Sequence, residues 1–518
     1  MYLTQGLHRA LQQLPDEVAS IFLGRRRTFS ELGSRVSRLA GGLHRLGVKP
    51  GDRVGMLSLN SDRYLEYHLA VYWAGGVAVP VNTGWSAAEI AHALNDCETR
   101  LLMLDDRFLD LVEDLKQRSK LLKTLIYAGE GAAPSDMLSF EGLIADNAPV
   151  PDACRSGSDL AGVYYTAGTT GFPKGVMISH QSLYLNAMIC LAEGAVPMRC
   201  IGLHAVPMFQ LAAGGQMNAM LAGGSTQVII PRFAPLAVFD AIAAEGVTQA
   251  SLLPSMIQML LDHPQLERFQ LNSLKNILYG SSPISEALIE RAARTFPSVG
   301  FTQWYGMTEL SPIATVLPAS YHTGKGRKDG GHRSAGRASV CTEVRIVDAL
   351  GKEVPRGTVG EVAVRGPGVM LGYWNKPAET AAAVRHEWMH TGDGGRMDDE
   401  GLVYIVDRIK DMIVTGGENV YSVEVEHAVL EHPAVAKCAV IGIPDEQWGE
   451  RVHAAIVLKS GAKATAAEVI EHCKTRIAGY KCPRNVSFLE ALPLSDAGQV
   501  LKHLLRESFA QVRNRKVG

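Results

Sequence analysis

Tyr165-Thr166-Ala167-Gly168-Thr169-Thr170-Gly171-Phe172-Pro173-Lys174-Gly175 is the stretch on which the reading of this chain turns. It follows Leu160 to Tyr165, an apolar run that predicts a buried strand. Glycines at 168, 171 and 175 allow positive φ and close backbone approach. Consecutive amides there can form an anion nest, the threonine hydroxyls add donors, and Lys174 adds one positive charge. Those are the groups a polyphosphate needs. The loop is not a Walker loop: Pro173 precedes Lys174 and Gly175 follows it, so the Gly-Lys-Ser/Thr ending is missing.

Around this loop, strand and helix signals alternate. Asp52 to Leu59, Gly76 to Val81 and Arg100 to Leu104 read as strands. Ser61 to Trp73 and Ser86 to Leu94 have helical spacing, and His180 to Cys190 predicts a helix capped by Ser179. Such alternation implies crossover units and largely parallel sheets. From about 340 to 410 the texture changes to short β runs separated by Gly and Pro: Val344 to Val347, Gly360 to Val364 and Gly401 to Val406. Beyond 410, Ser422 to His432 and Ala466 to Ala478 read as helices, and Ala436 to Ile441 and Val452 to Leu458 as strands. The expected fold is therefore α/β. A large N-terminal domain (1–408) has parallel-rich sheets and a small β subdomain at about 340–408, and a small α+β domain follows (409–518).

The chain has 518 residues, 47% of them hydrophobic and 20% charged, with a formal net charge of −2. Several buried cores are affordable at this length, and no basic face argues for nucleic acid. The N-terminus lacks a basic segment followed by an apolar run, and no stretch approaches the ~20 apolar residues of a membrane span. Eight cysteines are scattered without a CxxC pair. That pattern suits reduced thiols in a cytoplasmic protein and argues against zinc.

Further motifs follow in order. Gly280-Ser281-Ser282-Pro283 is a turn of small residues. Trp304-Tyr305-Gly306-Met307-Thr308-Glu309 offers an aromatic face, a hydroxyl and a carboxylate. Thr391-Gly392-Asp393 and Tyr404-Ile405-Val406-Asp407-Arg408 come next, then Lys410 and Thr415-Gly416-Gly417-Glu418. With the threonine-rich loop, this series resembles the acyl-adenylate-forming (ANL) superfamily of acyl-CoA synthetases, adenylation domains and beetle luciferases. The resemblance runs from Thr28 to Lys502.

The resemblance implies an acid–thiol ligase. ATP and a carboxylic acid form an acyl-AMP, and the acyl group then passes to coenzyme A. By resemblance, Thr166, Gly168, Thr169, Thr170, Gly171 and Lys174 hold the polyphosphate. Gly280, Ser281 and Ser282 lie beside the adenine, on which the aromatic of Trp304-Tyr305-Gly306 stacks. Thr308 contacts the α-phosphate, and Glu309 helps to hold Mg²⁺. Asp393 and Arg408 take the ribose. Lys410 is the hinge about which the small domain moves, and Gly416, Gly417 and Glu418 belong to the loop lining the coenzyme A tunnel. Met208, Phe209, Gln210, Ala213 and Gly214 are expected in the acyl pocket. Its small, apolar flanks and lack of arginine favour a fatty or aryl acid over a diacid. The implied partners are small molecules, and a homodimer is left open.

Two departures from the family pattern matter. Where it carries a catalytic lysine, alignment on Gly498 places Gln499. An amide donates a hydrogen bond but carries no charge, so adenylation is expected to be impaired. Three explanations stay open: an engineered variant that traps one half-reaction, Lys502 acting in its place, or a naturally impaired or different first step. Second, Phe209-Gln210 stands where many members have an aromatic–His pair, and Gln210 cannot act as a base. Loading of a carrier protein, or binding of nucleotide and acyl ligand without turnover, are the rival readings.

Overall fold

The computed structural model describes residues 1–166, 173–282, 284–323, 329–445, 447–494 and 500–514, with side chains to 509. Two compact units divide the chain: Met1–Val344 with Val364–His390, and Arg345–Ala363 with Thr391–Gly518.

In the first unit the alternating signals become two sheets. An eight-stranded sheet runs Gly372–Tyr373, Lys174–Ser179, Leu160–Thr166, Val77–Pro80, Arg53–Leu57, Leu101–Leu104, Thr124–Tyr127, Leu138–Ser139. From Leu160–Thr166 onward its neighbours pair in parallel; the first two junctions are antiparallel. The strand Leu101–Leu104 is buried throughout, as expected where crossover helices cover both faces. Those helices begin on hydroxyl caps: Ser61, Ser86 and Ser179 accept from the backbone N–H of Tyr64, Glu89 and Ser182.

The second sheet has nine strands. Its parallel centre comprises Gly300–Gly306, Asn276–Tyr279, Gln249–Leu252, Ile201–His204, Thr226–Ile229 and Val18–Phe22, in that order, with antiparallel strands at both edges. Phe239, Leu252, Ile277, Tyr279 and Phe301 form part of its core.

The helix Asp62–Trp73 is buried along its whole length although it carries Asp62, Arg63 and Glu66. An ionic layer neutralises them. Arg25 Nε lies 2.7 Å from Asp62 Oδ2, and Arg35 Nε lies 2.6 Å from Glu66 Oε1. Arg35 and Arg63 also reach Glu141, at 2.8 and 3.0 Å.

In the second unit, Ile413–Thr415, Glu418–Val420, Val435–Asp445, Gly449–Leu458 and Asn485–Phe488 form a five-stranded sheet. The helices Ser422–Leu430 and Ala466–Lys474 pack on it through Val425, Val429 and Val469. Within this unit, Asp393 to Met397 of the strand Trp388–Met397 pair with Val403–Arg408. The sequence signals do not predict that long strand. Its polar, glycine-rich sequence has little β propensity, and the ladder to its neighbour supplies what the propensity does not.

No helix among the described residues is long and apolar enough to cross a membrane. All eight cysteines are unpaired.

Candidate active site

The first unit holds a small cavity, open at its mouth, at the carboxyl ends of the parallel strands. Val206 follows Ile201–His204, Ser251 and Leu252 end Gln249–Leu252, Gly280 and Ser281 follow Asn276–Tyr279, and Trp304 lies in Gly300–Gly306. Open α/β sheets bind ligands at these ends, where loops are free to diverge and residues from several strands converge. Two helices close the far wall. His180–Ala192 contributes Asn186 and Cys190, and Leu211–Gly223 contributes Ala212, Ala213, Gly215 and Gln216.

Close packing dictates two of the glycines here. A Cβ on Gly280 would stand 2.5 Å from the Trp304 carbonyl oxygen and 2.7 Å from its indole ring. One on Gly306 would stand 1.8 Å from the Pro312 carbonyl oxygen. Any side chain at 280 would therefore push Trp304 out of the cavity wall. Burial pushes the Cys190 thiol up to about 12, so it is inert at neutral pH.

The cavity thus brings Ala213, expected in the acyl pocket, together with Gly280, Ser281 and Trp304, expected near the nucleotide. The other expected acyl-pocket residues stand outside its lining. Met208 is buried, and its N–H donates to Asn60 Oδ1 at 2.7 Å. Phe209 and Gln210 are half-buried at the start of the helix, where Gln210 is the N-cap without a side-chain capping bond. Gly214 is buried one residue past Ala213.

At the loop expected to hold the polyphosphate, Thr166 and Lys174 are register partners on antiparallel strands. The strand pair therefore holds both ends of the threonine-rich loop. Gly168, Thr169, Thr170 and Gly171 lie outside the described residues. The Lys174 ammonium is paired with the Glu379 carboxylate and sits 5.5 Å from the Tyr373 ring centroid. The Tyr373 hydroxyl donates to Glu309 Oε1 at 2.8 Å. Burial and the Glu309 charge both raise the Tyr373 pKa, so the phenol stays a donor across the physiological range. Glu309 is 6% exposed and shares the 3-10 turn Thr308–Leu310 with the half-buried Thr308. Tyr305 and Ser282 are also half-buried.

Sequence reasoning missed Tyr373 and Glu379. Gly372 and Tyr373 pair with Met177 and Val176 on the strand that begins at Lys174, across almost 200 residues of chain. No local pattern announces that contact.

In the second unit, Asp393 and Arg408 face each other across the ladder, and Arg408 Nε lies 2.6 Å from Asp393 Oδ1. Asp393 is 5% exposed, whereas Arg408 reaches outward. Lys410 is exposed in the turn Ile409–Asp411. Gly416 and Gly417, with φ of 62° and 84°, form the two-residue turn of a hairpin whose next residue is the exposed Glu418. Gln499 lies outside the described residues. Lys502 is described and already engaged: its Nζ is 2.7 Å from Glu426 Oε1 and 2.5 Å from Ser422 Oγ. Burial raises the Glu426 pKa and the Lys502 charge opposes that. Using Lys502 in place of the missing lysine would strand a buried carboxylate.

Among the described residues no group of three metal-type ligands occurs. A single buried carboxylate, Glu309, nevertheless suits Mg²⁺, which keeps waters and takes its other ligands from substrate phosphates.

Residues 7–374 match the AMP-binding enzyme family, and residues 424–499 match the AMP-binding enzyme C-terminal domain. The chain is 38% identical over 484 residues to a feruloyl-CoA synthase of Amycolatopsis sp, covering 93% of this chain and 94% of that one. It is 35% identical over 510 residues to the fatty acid–[acyl-carrier-protein] ligase ScoC of Streptomyces coeruleorubidus, covering 98% and 96%. Among solved structures, ATP-bound MatB from Rhodopseudomonas palustris superposes with a TM-score of 0.88 at 29% identity, covering 99% of this chain and all of that one.

Proposed function

We propose, from the premise that this chain belongs to the AMP-binding enzyme family, that it joins a fatty or aryl carboxylic acid to coenzyme A through an acyl-adenylate. As a member of that family it is an AMP-forming acid–thiol ligase. The observation that carries the finer reading is the cavity lined by Ala213 on one side and by Gly280, Ser281 and Trp304 on another. An acyl group seated there would have its carboxylate near residues that the sequence motifs assign to the nucleotide.

The chemistry needs two displacements. The substrate carboxylate attacks the α-phosphorus of ATP, the bond to the β-phosphate oxygen breaks, and pyrophosphate leaves. The thiolate then attacks the acyl carbon, and AMP leaves. Neither step requires a covalent bond to the protein. The protein positions the reactants and neutralises charge. In this reading Thr166, Thr169, Thr170 and Lys174 grip the β,γ-phosphates, Thr308 the α-phosphate, and Asp393 with Arg408 the ribose. Mg²⁺ held by Glu309 would offset the charge of the polyphosphate. The polyphosphate would compete with Glu379 for the Lys174 ammonium. Lys410 acts as the hinge between residues 1–408 and 409–518, and Gly416, Gly417 and Glu418 line the thiol's path.

A carrier-protein thiol is the second acceptor to weigh, because ScoC, 35% identical to this chain, is named as a ligase of that kind. Mass spectrometry of incubations with acid, ATP and either acceptor separates the two, using a panel of fatty and aryl acids. The wild type and Gln499→Lys are run side by side. Restoring the charge is expected to raise pyrophosphate release by about 10²–10³. Nucleotide binding without turnover in Gln499→Lys across the whole panel would replace the ligase reading with that of a binding protein.

A further inference from the structure

One donor in the cavity wall has no partner among the described residues. Asn186 is 2% exposed and lines the cavity from the helix His180–Ala192; its Oδ1 accepts from Cys190 Sγ at 3.9 Å, but its Nδ2 donates to no described residue. Its Oδ1 faces the neighbouring helix, where a Cβ on Gly215 would stand 2.8 Å away. Gln216, the other amide in the wall, is satisfied: Nε2 donates to the Leu203 carbonyl and to Gln249 Oε1, each at 3.1 Å. Around Asn186 the lining is largely apolar, with Val206, Leu253, Trp304 and Ile313. A buried amide donor without an acceptor is a cost that folded interiors rarely carry unless something that binds there relieves it.

We infer that Asn186 is a specificity-determining residue whose amide donates to an oxygen on the acyl group. It thereby selects aryl acids with a hydroxyl or ether substituent over unsubstituted aryl or alkyl acids. The inference rests on the adenylating reading above. The aryl part follows from the wall itself. Trp304 contributes an aromatic side chain to the lining, and Ala213 and Gly215 add little bulk from the helix Leu211–Gly223, a composition that suits a flat ring. The oxygen part follows from Nδ2, the one cavity-lining side-chain donor that the described residues leave buried and unpaired.

The test uses two non-hydrolysable acyl-sulfamoyl adenosines, with a third for one variant, and calorimetry on the intact protein. One probe carries a 3-phenylpropenoyl group and the other its 4-hydroxy-3-methoxy form; the third carries the 4-methoxy form. The wild type is expected to bind the oxygenated probe about tenfold tighter. Asn186→Leu should bring the ratio near one by weakening only the oxygenated probe. Asn186→Asp, which replaces the donor by an acceptor, should also lose the preference for a 4-methoxy probe, whose oxygen can only accept. Equal affinities in the wild type would overturn the inference and leave the adenylating reading standing, as would a ratio unchanged in both variants. Binding of neither probe to the wild type would overturn that reading and the inference together.

Discussion

Tyr373→Phe isolates one bond between the two charged groups expected at the phosphates. The substitution removes the hydroxyl that donates to Glu309 Oε1 at 2.8 Å and keeps the ring 5.5 Å from the Lys174 ammonium. Lys174 and its ion pair with Glu379 therefore stay in place, and only the carboxylate loses a partner. Glu309 is 6% exposed, so water replaces the lost donor poorly. A hydrogen bond to a charged group contributes about 1.5–3 kcal/mol. In a unit of this size that loss lowers Tm by about 2–4 °C. A group that orients a metal ligand typically sets metal affinity by about 10- to 100-fold, so the Mg²⁺ concentration needed for tight ATP binding should rise within that range. Differential scanning calorimetry measures the first effect, and ATP calorimetry across a Mg²⁺ series measures the second. A variant that melts with the wild type and keeps its Mg²⁺ dependence would refute the assignment of Tyr373 as the residue that positions Glu309.

Gly416→Ala should destabilise the second unit by about 2–3 kcal/mol. The residue sits at φ 62°, and the added Cβ would lie 2.8 Å from the Trp448 ring. Gly417→Ala, at φ 84° with nothing within 4 Å, should cost only the backbone strain of about 1 kcal/mol, and thermal melts of the pair separate strain from clash. The ionic layer at the buried helix predicts an acid limb. Burial alone would raise the Glu141 pKa, but Arg35 and Arg63 outweigh it and hold the carboxyl at about 2, below its ordinary 4.5. A depressed carboxylate adds stability above its unfolded pKa and loses it as pH falls from 4.5 through 2. Glu141 is partly exposed, so screening limits the contribution to about 1 kcal/mol. Urea midpoints should show Glu141→Gln destabilised at pH 6 and level with the wild type near pH 2. A deficit that persists in acid would point to packing rather than charge.

Much of the fold was legible because its signals are local. Apolar runs and hydroxyl caps lie within a few residues of the elements they specify: Ser179 caps its helix as expected, and the helices expected from the spacing after Ser61 and Ser86 are capped by those serines. The strand Trp388–Met397 escaped because its polar, glycine-rich run carries little local β preference. The site was legible as far as its motifs reach. The pairing of Asp393 with Arg408 and the bracketing of the threonine-rich loop by Thr166 and Lys174 join residues that the sequence had already singled out. Tyr373, Glu379 and Asn186 had no such marker.

The sequence by itself determined which residue types stand at each motif, the alternation that builds parallel sheets, and the glutamine at 499. Only the tertiary structure decided that Lys174 meets Glu379, that Tyr373 holds Glu309, that Lys502 is committed to Glu426, and that Asn186 is left with an unmet donor. The physical reason is range. Helix caps and strand propensity depend on neighbours along the chain, whereas an ion pair or a cavity wall depends on which distant segments the packed sheets bring side by side.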